Sequence, residues 1–552
     1  MALITVAFAA CIVRAFWIQV AANGFYRRQG DSRVDHVIDV PAQRGRILDR
    51  NGAVLAASVP VKAIWIDATA VPDDLPPGKL ATLARLLDLA PQRINAAIDH
   101  DRSFVYLKHD VPLSVADQVE SLRIPGIHAS PEYQRVYPEG EVTAQDVGFT
   151  GLSGNGEDGI ELAADATLRA EDGQKLVVRD RVGHVVMDLG DITPVRPGTD
   201  IRLALNSHIQ SATWLALRDA VTQSGAENAS AVVVDGKTGE ILALANYPSY
   251  DPNDRTALRG AALRNRAVTD VFEPGSIMKP FTVSLALDLQ RVSPDSLVQT
   301  NRSLLLDGAT ITDDANFGTL TVAGVIQKSS NIGATKISLT MKPEEIWGMY
   351  DSLGLGHRPA LGFPGAAPGI VRPWRHWRRI EQATMSYGYG LSVSLVQLAQ
   401  AYTVFVDDGT MMPLSIYKRS GLFPAGTRVF TQRTADEMRA MLESVVAKGG
   451  TAPQAQVPGY SVGGKTGTAY TATAHGYDHS AYRASFVGIL PIREPRLIIA
   501  VSVNKPKGAR HFGGDVSGPV FARIAQIAVQ VLGLAPDKPV SQVMNDGKRQ
   551  DT

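Results

Sequence analysis

The segment Phe272-Glu273-Pro274-Gly275-Ser276-Ile277-Met278-Lys279-Pro280 is the most informative stretch of the chain, because it places a serine and a lysine three residues apart before an apolar run. Pro274-Gly275 ends the preceding segment, so the sequence predicts a helix that starts at Ser276. A lysine three residues later lies on the same helix face and can be the base that a serine nucleophile needs. The Ser276 hydroxyl and backbone N–H would lie at the positive helix end. The apolar run Phe281–Leu289 is typical of a buried helix.

The serine–lysine spacing alone is a weak indication, because a chain of 552 residues contains it by chance. A second copy occurs in Ser415-Ile416-Tyr417-Lys418. It follows Pro413-Leu414 and leads into the polar Arg419-Ser420-Gly421. We interpret this copy as a strand end or a turn, and further motifs are needed to support the first.

A second motif, Ser329-Ser330-Asn331, lies between the apolar segments 320–326 and 332–339. This position predicts a loop that joins two helices. A hydroxyl there can relay a proton, and an amide can both donate to and accept from a peptide. Similar triplets at Ser153-Gly154-Asn155 and Ser502-Val503-Asn504 lie in a glycine-rich turn and a strand-like run, so we interpret both as structural.

A third motif, Lys465-Thr466-Gly467-Thr468, follows Tyr460–Gly464, which predicts an edge strand with little side-chain bulk. A glycine in such a strand lets a ligand approach the backbone. The strand can offer an N–H to an oxyanion, while the lysine and the threonine hydroxyls bind a carboxylate. A second copy, Lys237-Thr238-Gly239, is predicted to be a hairpin turn between the strands 231–234 and 241–245.

The composition excludes several classes of function. The chain has 55 acidic and 55 basic residues, which gives no electrostatic case for nucleic-acid binding. Cys11 is the only cysteine, and the 11 histidines form no His-Glu-x-x-His pattern, so no metal site is predicted. We interpret His475 and His479 as solvated loop residues.

Residues 1–22 are mostly apolar and predict a transmembrane anchor, although Arg14 interrupts the run. No small-residue cleavage site is present, which favours an uncleaved anchor over a removed signal; a buried core helix is the alternative. No Lys or Arg precedes the apolar run, as an anchor normally requires. We therefore expect that the natural start lies upstream or that this copy is truncated.

The rest of the chain predicts an α+β protein with two domains, at 23–225 and 226–534, and a polar tail at 535–552. In the first, the patterns predict strands at 37–40, 54–56 and 61–66 and helices at 80–89, 112–122 and 206–221. In the second, they predict an antiparallel meander of strands at 461–469, 484–490 and 497–503 and a last helix at 519–532. Ser394-Leu395-Val396-Gln397 predicts a capping box. Tyr387-Gly388-Tyr389-Gly390 is either a structural turn or part of a cleft wall.

The three motifs in this order resemble the active-site motifs of the penicillin-binding proteins. Further stretches resemble the division-specific class B branch, the FtsI type, and the resemblance covers nearly the whole chain after about residue 14. These stretches are Arg44–Gly52, Arg264–Gly275, Tyr387–Leu391 and Phe512–Phe521.

The resemblance implies a peptidoglycan D,D-transpeptidase that cross-links stem peptides at the septum through a serine acyl-enzyme and is a target of β-lactams. It implies that residues 23–225 form a pedestal, or dimerisation-type, domain and that 226–534 form the transpeptidase domain with an antiparallel sheet flanked by helices. The implied catalytic residues are Ser276, Lys279, Ser329 and Lys465, and the implied substrate-binding residues are Asn331, Thr466, Gly467 and Thr468. The backbone N–H groups of Ser276 and Thr468 would form the oxyanion hole, and no metal or organic cofactor is needed. Burial and the Lys465 ammonium would both lower the pKa of Lys279.

The resemblance also implies a place and partners for the protein. It would be a single-pass inner-membrane protein with its catalytic domain in the periplasm, working with a SEDS-family glycan polymerase (FtsW type) and divisome proteins. The alternatives are an elongation-specific class B transpeptidase, a D-alanyl carboxypeptidase or serine β-lactamase, and a β-lactam sensor or scaffold.

Overall fold

The computed structural model describes residues 2–21, 35–72, 75–98, 104–179, 185–421, 424–473, 476–508 and 510–539. The N-terminal apolar segment forms the helix α1 (Ala2–Phe16) and a π-helical turn at Trp17–Ala21. None of the helices in these ranges is both long and apolar enough to span a membrane, so the predicted anchor is not confirmed. The predicted tail at 535–552 lies mostly outside the described residues.

The order of strands and helices shows how the two predicted domains are built. In chain order the strands are β1 (Asp35–Val40), β2 (Ile47–Leu48), β3 (Val54–Ile66), β4 (Val105–Val111), β5 (Ile127–Val136), β6 (Gly173–Arg179), β7 (Val185–Thr193), β8 (Ile201–Arg202), β9 (Asn228–Asp235), β10 (Glu240–Tyr247), β11 (Leu297–Thr300), β12 (Ser303–Leu306), β13 (Ala309–Thr312), β14 (Gly318–Thr321), β15 (Thr410–Met411), β16 (Thr427–Arg428), β17 (Gly463–Thr473), β18 (Gly476–Leu490) and β19 (Leu497–Asn504). The helices after α1 are α2 (Pro77–Leu86), α3 (Pro91–Ile98), α4 (Leu113–Ser121), α5 (Ala144–Val147), α6 (Gly159–Ala163), α7 (Asp165–Leu168), α8 (Ser207–Ser224), α9 (Arg266–Thr269), α10 (Lys279–Asp288), α11 (Val322–Lys328), α12 (Asn331–Ser338), α13 (Pro343–Ser352), α14 (Arg379–Ser386), α15 (Leu395–Ala401), α16 (Gln432–Val446) and α17 (Gly513–Val531).

One compact unit comprises residues up to 46, 56–136 and 166–200. In it β3 pairs antiparallel with β4 and β5, and β6 pairs antiparallel with β1 and β7. The helices predicted at 80–89 and 112–122 are confirmed as α2 and α4. Their apolar faces share a core with β3 and β4, which includes Ile64, Leu83, Leu107 and Val119.

The two strands predicted at 54–56 and 61–66 form one strand, β3, and Pro60 lies within it. Pro60 is in register with Tyr133 of β5 but lies outside Lys62–Ile66, the part of β3 that pairs with β4. Its missing N–H therefore removes no hydrogen bond from the β3–β4 ladder.

The second compact unit comprises residues 47–55, 137–165 and 201 onwards. Its centre is a five-stranded antiparallel sheet in the order β10-β9-β19-β18-β17, which confirms the predicted meander. Helices α8 and α17 pack against β10 and β18, and α15 packs against β9 and β19. Every residue of β19 is buried, as expected of a strand covered on both faces. Strand β17 forms one edge of this sheet.

The second unit includes residues 47–55, 137–165 and 201–225, which the sequence pattern placed in the first domain. Asp49 explains part of this, because its carboxylate accepts hydrogen bonds from the Ser207 hydroxyl and N–H at the start of α8. Asp146 is buried and accepts from Gln210 on α8 and from Asn265, at 2.9 Å each. Burial raises the pKa of Asp146 well above its ordinary value.

The predicted start of the last helix, Pro519, is wrong. Helix α17 begins at Gly513, and Pro519 lies inside it. The first turn carries Gly513 and Gly514, where a Cβ would lie 2.3 Å from the Ser485 carbonyl oxygen and 2.1 Å from the Thr451 carbonyl oxygen. The glycines therefore allow this helix end to press against neighbouring backbone.

Candidate active site

The segment that carries Ser276 becomes helical at Gly275, close to the predicted start, but its first turn is a 3-10 turn (Gly275–Met278) that leads into α10. Pro280 has no N–H to bond the Ser276 carbonyl in the α-helical pattern. The Lys279 N–H bonds this carbonyl instead. The tight turn leaves Ser276 partly exposed, while Lys279 is buried.

The Lys279 ammonium lies at the centre of a polar cluster. Its Nζ is 2.9 Å from the Ser276 Oγ, 2.5 Å from the Ser329 carbonyl oxygen and 2.7 Å from the Asn331 Oδ1. Burial lowers the pKa of Lys279 to about 7, although the nearby carboxylates of Asp313 and Asp314 act in the opposite direction. A large share of this lysine is therefore neutral near pH 7, as a proton acceptor must be.

The loop between α11 and α12 brings Ser329 and Asn331 to this cluster. Ser329 ends α11 in the left-handed conformation, with φ of +59°. Asn331 is the first residue of α12, and its amide also donates to the Thr312 carbonyl at 3.0 Å. The prediction of a loop between two helices is confirmed.

The Lys465 side chain reaches the same cluster from the edge strand β17. It is fully buried, and its Nζ donates to the Ser329 Oγ at 2.8 Å. Ser329 Oγ is also 3.2 Å from the Lys279 Nζ, so this hydroxyl joins the two lysines. Burial, and then the positive charge of Lys279, lower the pKa of Lys465 well below its ordinary value.

Burial lowers the pKa of Lys279, as predicted. The positive charges of the two lysines repel each other, and this repulsion adds to burial in lowering the pKa of Lys465. The carboxylates of Asp313 and Asp314 favour the charged form of Lys279.

The rest of the third motif lies against the nucleophile segment. A Cβ at Gly467 would lie 2.8 Å from the Pro274 carbonyl oxygen, so only a glycine allows β17 to approach this closely. Thr466 Oγ1 is 3.0 Å from Thr451 Oγ1, and Thr468 Oγ1 accepts from the Gly513 N–H at 3.0 Å.

The Tyr387–Gly390 stretch supports the nucleophile segment from the other side. The Gly275 N–H donates to the Gly388 carbonyl at 3.1 Å, and the Gly390 N–H donates to Glu273 Oε1 at 2.7 Å. Gly388 has φ of +87°, and a Cβ there would lie 2.0 Å from the Gly275 carbonyl oxygen. The stretch is thus a structural turn that also fixes the backbone next to Ser276.

The structure reveals Asp313, which the sequence analysis missed. Its carboxylate accepts from the Ser330 hydroxyl and from the Asn331 N–H, both at 2.5 Å, and from the Ile332 N–H at 3.0 Å. No fixed spacing links this aspartate to the motif. The sequence does contain one signal for it, because Asp313 and Asp314 form an acidic pair in a segment with few other charged residues before the Ser-x-Asn motif.

The second copies of the motifs do not reach this cluster. Lys237-Thr238-Gly239 lies in the turn between β9 and β10, as predicted, and the Lys418 Nζ donates to the Arg50 carbonyl. The Asn155 amide donates to its neighbour Ser153.

His479 packs edge-to-face against Tyr470, while His475 lies outside the described residues. Among the described ranges, no group of His, Cys, Asp or Glu could hold a metal ion.

This arrangement can perform acyl transfer. A partly exposed serine hydroxyl lies within hydrogen-bonding distance of a buried lysine whose pKa is low enough to accept its proton. A second hydroxyl connects this lysine to another, which gives a path for a proton to a leaving group.

Comparison with known proteins agrees with this chemistry. Residues 229–526 match the penicillin binding protein transpeptidase domain, and residues 39–203 match the penicillin-binding protein dimerisation domain. The chain is 39% identical to "Probable peptidoglycan D,D-transpeptidase PenA" of Neisseria gonorrhoeae, over 97% of this chain and 92% of that protein. It is 38% identical to peptidoglycan D,D-transpeptidase FtsI of Escherichia coli strain K12, over 97% and 91%. The solved TP domain of penicillin-binding protein 3 from Burkholderia pseudomallei is 58% identical, with a TM-score of 0.57, over 61% of this chain and 98% of that one. With both domains matched and relatives aligned over nearly its full length, this chain belongs to the class B penicillin-binding proteins, the serine-type peptidoglycan D,D-transpeptidases.

Proposed function

We propose that this protein is the division-specific peptidoglycan D,D-transpeptidase of its cell and that Ser276 is its nucleophile. The observation that carries the assignment of Ser276 is its Oγ at 2.9 Å from a buried lysine whose pKa is about 7. A serine hydroxyl in such a pairing can be activated without any cofactor.

The first step forms the acyl-enzyme. Ser276 Oγ attacks the carbonyl between the last two D-alanines of a stem peptide, and its proton passes to neutral Lys279. The backbone N–H groups of Ser276 and Thr468 stabilise the oxyanion, and the loss of one such donor typically costs about 10²–10³ in rate. The C–N bond then breaks, and the leaving D-alanine amine receives a proton through Ser329, which Lys279 and Lys465 both contact.

The second step closes the cross-link. An amine of a neighbouring stem peptide attacks the ester carbonyl and loses its proton to the same lysine and hydroxyl pair. The C–O bond to Ser276 breaks, and Ser276 regains its proton. β-Lactams would acylate Ser276 in the same way, as mimics of the D-alanyl-D-alanine end.

Four residues would bind the peptide. Asn331 lies beside Lys279 and would pair with the peptide backbone. Lys465, Thr466 and Thr468 would hold the terminal carboxylate through charge and hydroxyl groups. Gly467 keeps the edge strand close enough to Ser276 for these contacts.

Similarity to known transpeptidases supports a proposal for the place of the reaction. The similarity to FtsI extends over 97% of this chain, which supports a septal role. We propose a single-pass anchor at 1–22, a pedestal at 23–225, a transpeptidase domain at 226–534 and a polar tail at 535–552. In this proposal the protein is held in the inner membrane with its catalytic domain in the periplasm. It acts with an FtsW-type SEDS glycan polymerase and other divisome proteins.

The reaction is tested with the purified full chain, a synthetic stem peptide that ends in D-alanyl-D-alanine, and an acceptor peptide with a free amine. Mass spectrometry should find a cross-linked dimer together with released D-alanine, and penicillin should block both. Release of D-alanine without a dimer would indicate a carboxypeptidase, and steady hydrolysis of penicillin would indicate a β-lactamase.

The cellular role is tested by depletion of the protein in its host. Filamentous cells that fail to complete septa would agree with a division enzyme. Rounded cells that still divide would contradict the proposal and indicate the elongation-specific alternative.

A further inference from the structure

Asp313, the residue after β13, holds the first turn of α12. One oxygen of its carboxylate accepts from the Asn331 and Ile332 N–H groups at 2.5 and 3.0 Å, and the other accepts from the Ser330 hydroxyl at 2.5 Å. Ser330 Oγ in turn accepts from the Gly333 N–H at 2.8 Å. The N–H groups at a helix start have no partner within the helix, so Asp313 and Ser330 together satisfy the first three of α12.

The loop that Asp313 holds is strained and lies at the centre of the active site. Ser329 has φ of +59°, a left-handed conformation that is unfavourable for a non-glycine residue. Ser329 contacts both lysines, and Asn331 contacts Lys279 at 2.7 Å. Asp313 anchors the two residues that directly follow Ser329, and it therefore determines where these contacts fall.

We propose that Asp313 is a positioning residue for acyl transfer: its carboxylate holds the Ser329-Ser330-Asn331 loop against the two lysines and places a fixed negative charge beside Lys279. This inference rests on the proposed function, in which Lys279 accepts the Ser276 proton.

The charge of Asp313 has a consequence with a definite sign. The charged groups coupled to Lys279 are Asp313 and Asp314 from the loop after β13, which act on its pKa, and Lys465 from β17, whose pKa Lys279 lowers. Burial lowers the pKa of Lys279 to about 7, and both carboxylates act to raise it. Removal of either carboxylate must lower this pKa further. Because neutral Lys279 is the reactive form, the acid limb of the acylation rate then moves to lower pH.

Asp314 is a matched control in the adjacent position. It is exposed, and its side chain makes no hydrogen bond or ion pair among the described residues. It nevertheless acts on Lys279 in the same direction as Asp313. Asp314→Asn thus removes a charge without removing a contact to the loop.

The test measures the second-order rate constant for acylation of the full chain by a fluorescent penicillin between about pH 5 and 9. The wild type should show a midpoint near pH 7, where Lys279 titrates. Asp313→Ala should lower the plateau by about 10- to 100-fold, since a small displacement of catalytic groups has such an effect. Asp313→Asn should keep the plateau within a few-fold, because the amide oxygen still accepts from both N–H groups and the NH₂ can donate to Ser330 Oγ. The midpoint pH of Asp313→Asn should lie below that of the wild type. Asp314→Asn should show the same downward shift of its midpoint and the full wild-type plateau.

Two results would overturn the proposal. One is an Asp313→Ala variant with the wild-type plateau. The other is an Asp313→Asn variant with an unmoved midpoint while Asp314→Asn shifts. Circular dichroism and thermal unfolding report whether each variant is folded. If Asp313→Ala is not folded, the midpoint pH of acylation by Asp313→Asn is the test of the proposal. A wild type that forms no adduct would contradict the proposed function itself, which is a distinct result.

Discussion

The chain carries the triplet Lys-Thr-Gly twice within one compact unit, and the two copies have different environments. Lys465 lies on the edge strand β17, is fully buried and donates to Ser329 at 2.8 Å. Lys237 lies in the turn between β9 and β10, where 45% of its side chain is exposed and its nearest carboxylate is Asp407, at 3.7 Å. The burial and the contacts of Lys465 come from its place on a strand edge that faces another element. The Lys-Thr-Gly triplet alone does not provide them.

The two Ser-x-x-Lys copies also differ in their environments. Lys279 is buried and bonded to Ser276, whereas Lys418 donates to the Arg50 carbonyl at 2.9 Å and Ser415 to the Tyr417 carbonyl at 2.8 Å. In the second copy the serine and the lysine therefore bond to backbone and not to each other. Matched substitutions in the two copies test this difference.

The largest effect is expected from Lys279→Ala compared with Lys418→Ala. The first should slow acylation by fluorescent penicillin by about 10³-fold or more, because a positioned base contributes about 10²–10⁴-fold and Lys279 also holds Asn331. The second should stay within about twofold of the wild type, because Lys418 donates to the Arg50 carbonyl, away from the site. Equal acylation rates in the two variants would contradict a catalytic role for Lys279.

Much of this contrast could be read from the sequence. Apolar residues after Lys279 and polar ones after Lys418 separated a buried helix from a turn. The apolar strand segments 231–234 and 241–245 placed Lys237 in the hairpin turn between them. These are local patterns with a period or a turn signature. The sheet edge, the loop between α11 and α12, and the capping box at Ser394, which α15 confirms, were predictable for the same reason.

A smaller effect is expected from Lys465→Ala compared with Lys237→Ala. Loss of the Lys465 ammonium removes one of the two donors to Ser329 Oγ and should lower the acylation rate by about 10²-fold. Lys237→Ala should change neither the rate nor the melting temperature, because exposed ion pairs contribute little. A Lys465→Ala variant as fast as Lys237→Ala would remove Lys465 from the proton path.

The smallest effect is expected from Gly388→Ala compared with Gly154→Ala. Both glycines have positive φ, which costs an alanine about 1–2 kcal/mol. A Cβ at Gly388 would also lie 2.0 Å from the Gly275 carbonyl oxygen, whereas a Cβ at Gly154 meets nothing within 4 Å. Gly154→Ala should melt slightly earlier and Gly388→Ala clearly earlier, because the Gly388 Cβ would meet backbone. Only Gly388→Ala should acylate more slowly, by about tenfold. The comparison fails if both variants acylate at the wild-type rate.

The features that could not be predicted depend on contacts between distant parts of the chain. Asp313 acts on Asn331 through a carboxylate that no spacing rule connects to the motif. The start of α17 depends on how closely Gly513 approaches Ser485, while the sequence offered Pro519 as a helix start. The share of each carboxylate in the pKa of Lys279 follows from burial and distance, which a linear sequence does not contain.

We propose that Ser276, and no other serine, carries the acyl group. The most direct measurement is to treat the full chain, Ser276→Ala and Ser415→Ala with penicillin, digest them, and map the adduct by mass spectrometry over time. We expect a long-lived adduct on the Ser276 peptide in the wild type and in Ser415→Ala, and none in Ser276→Ala. An adduct that persists in Ser276→Ala, or that maps to another serine, would contradict it.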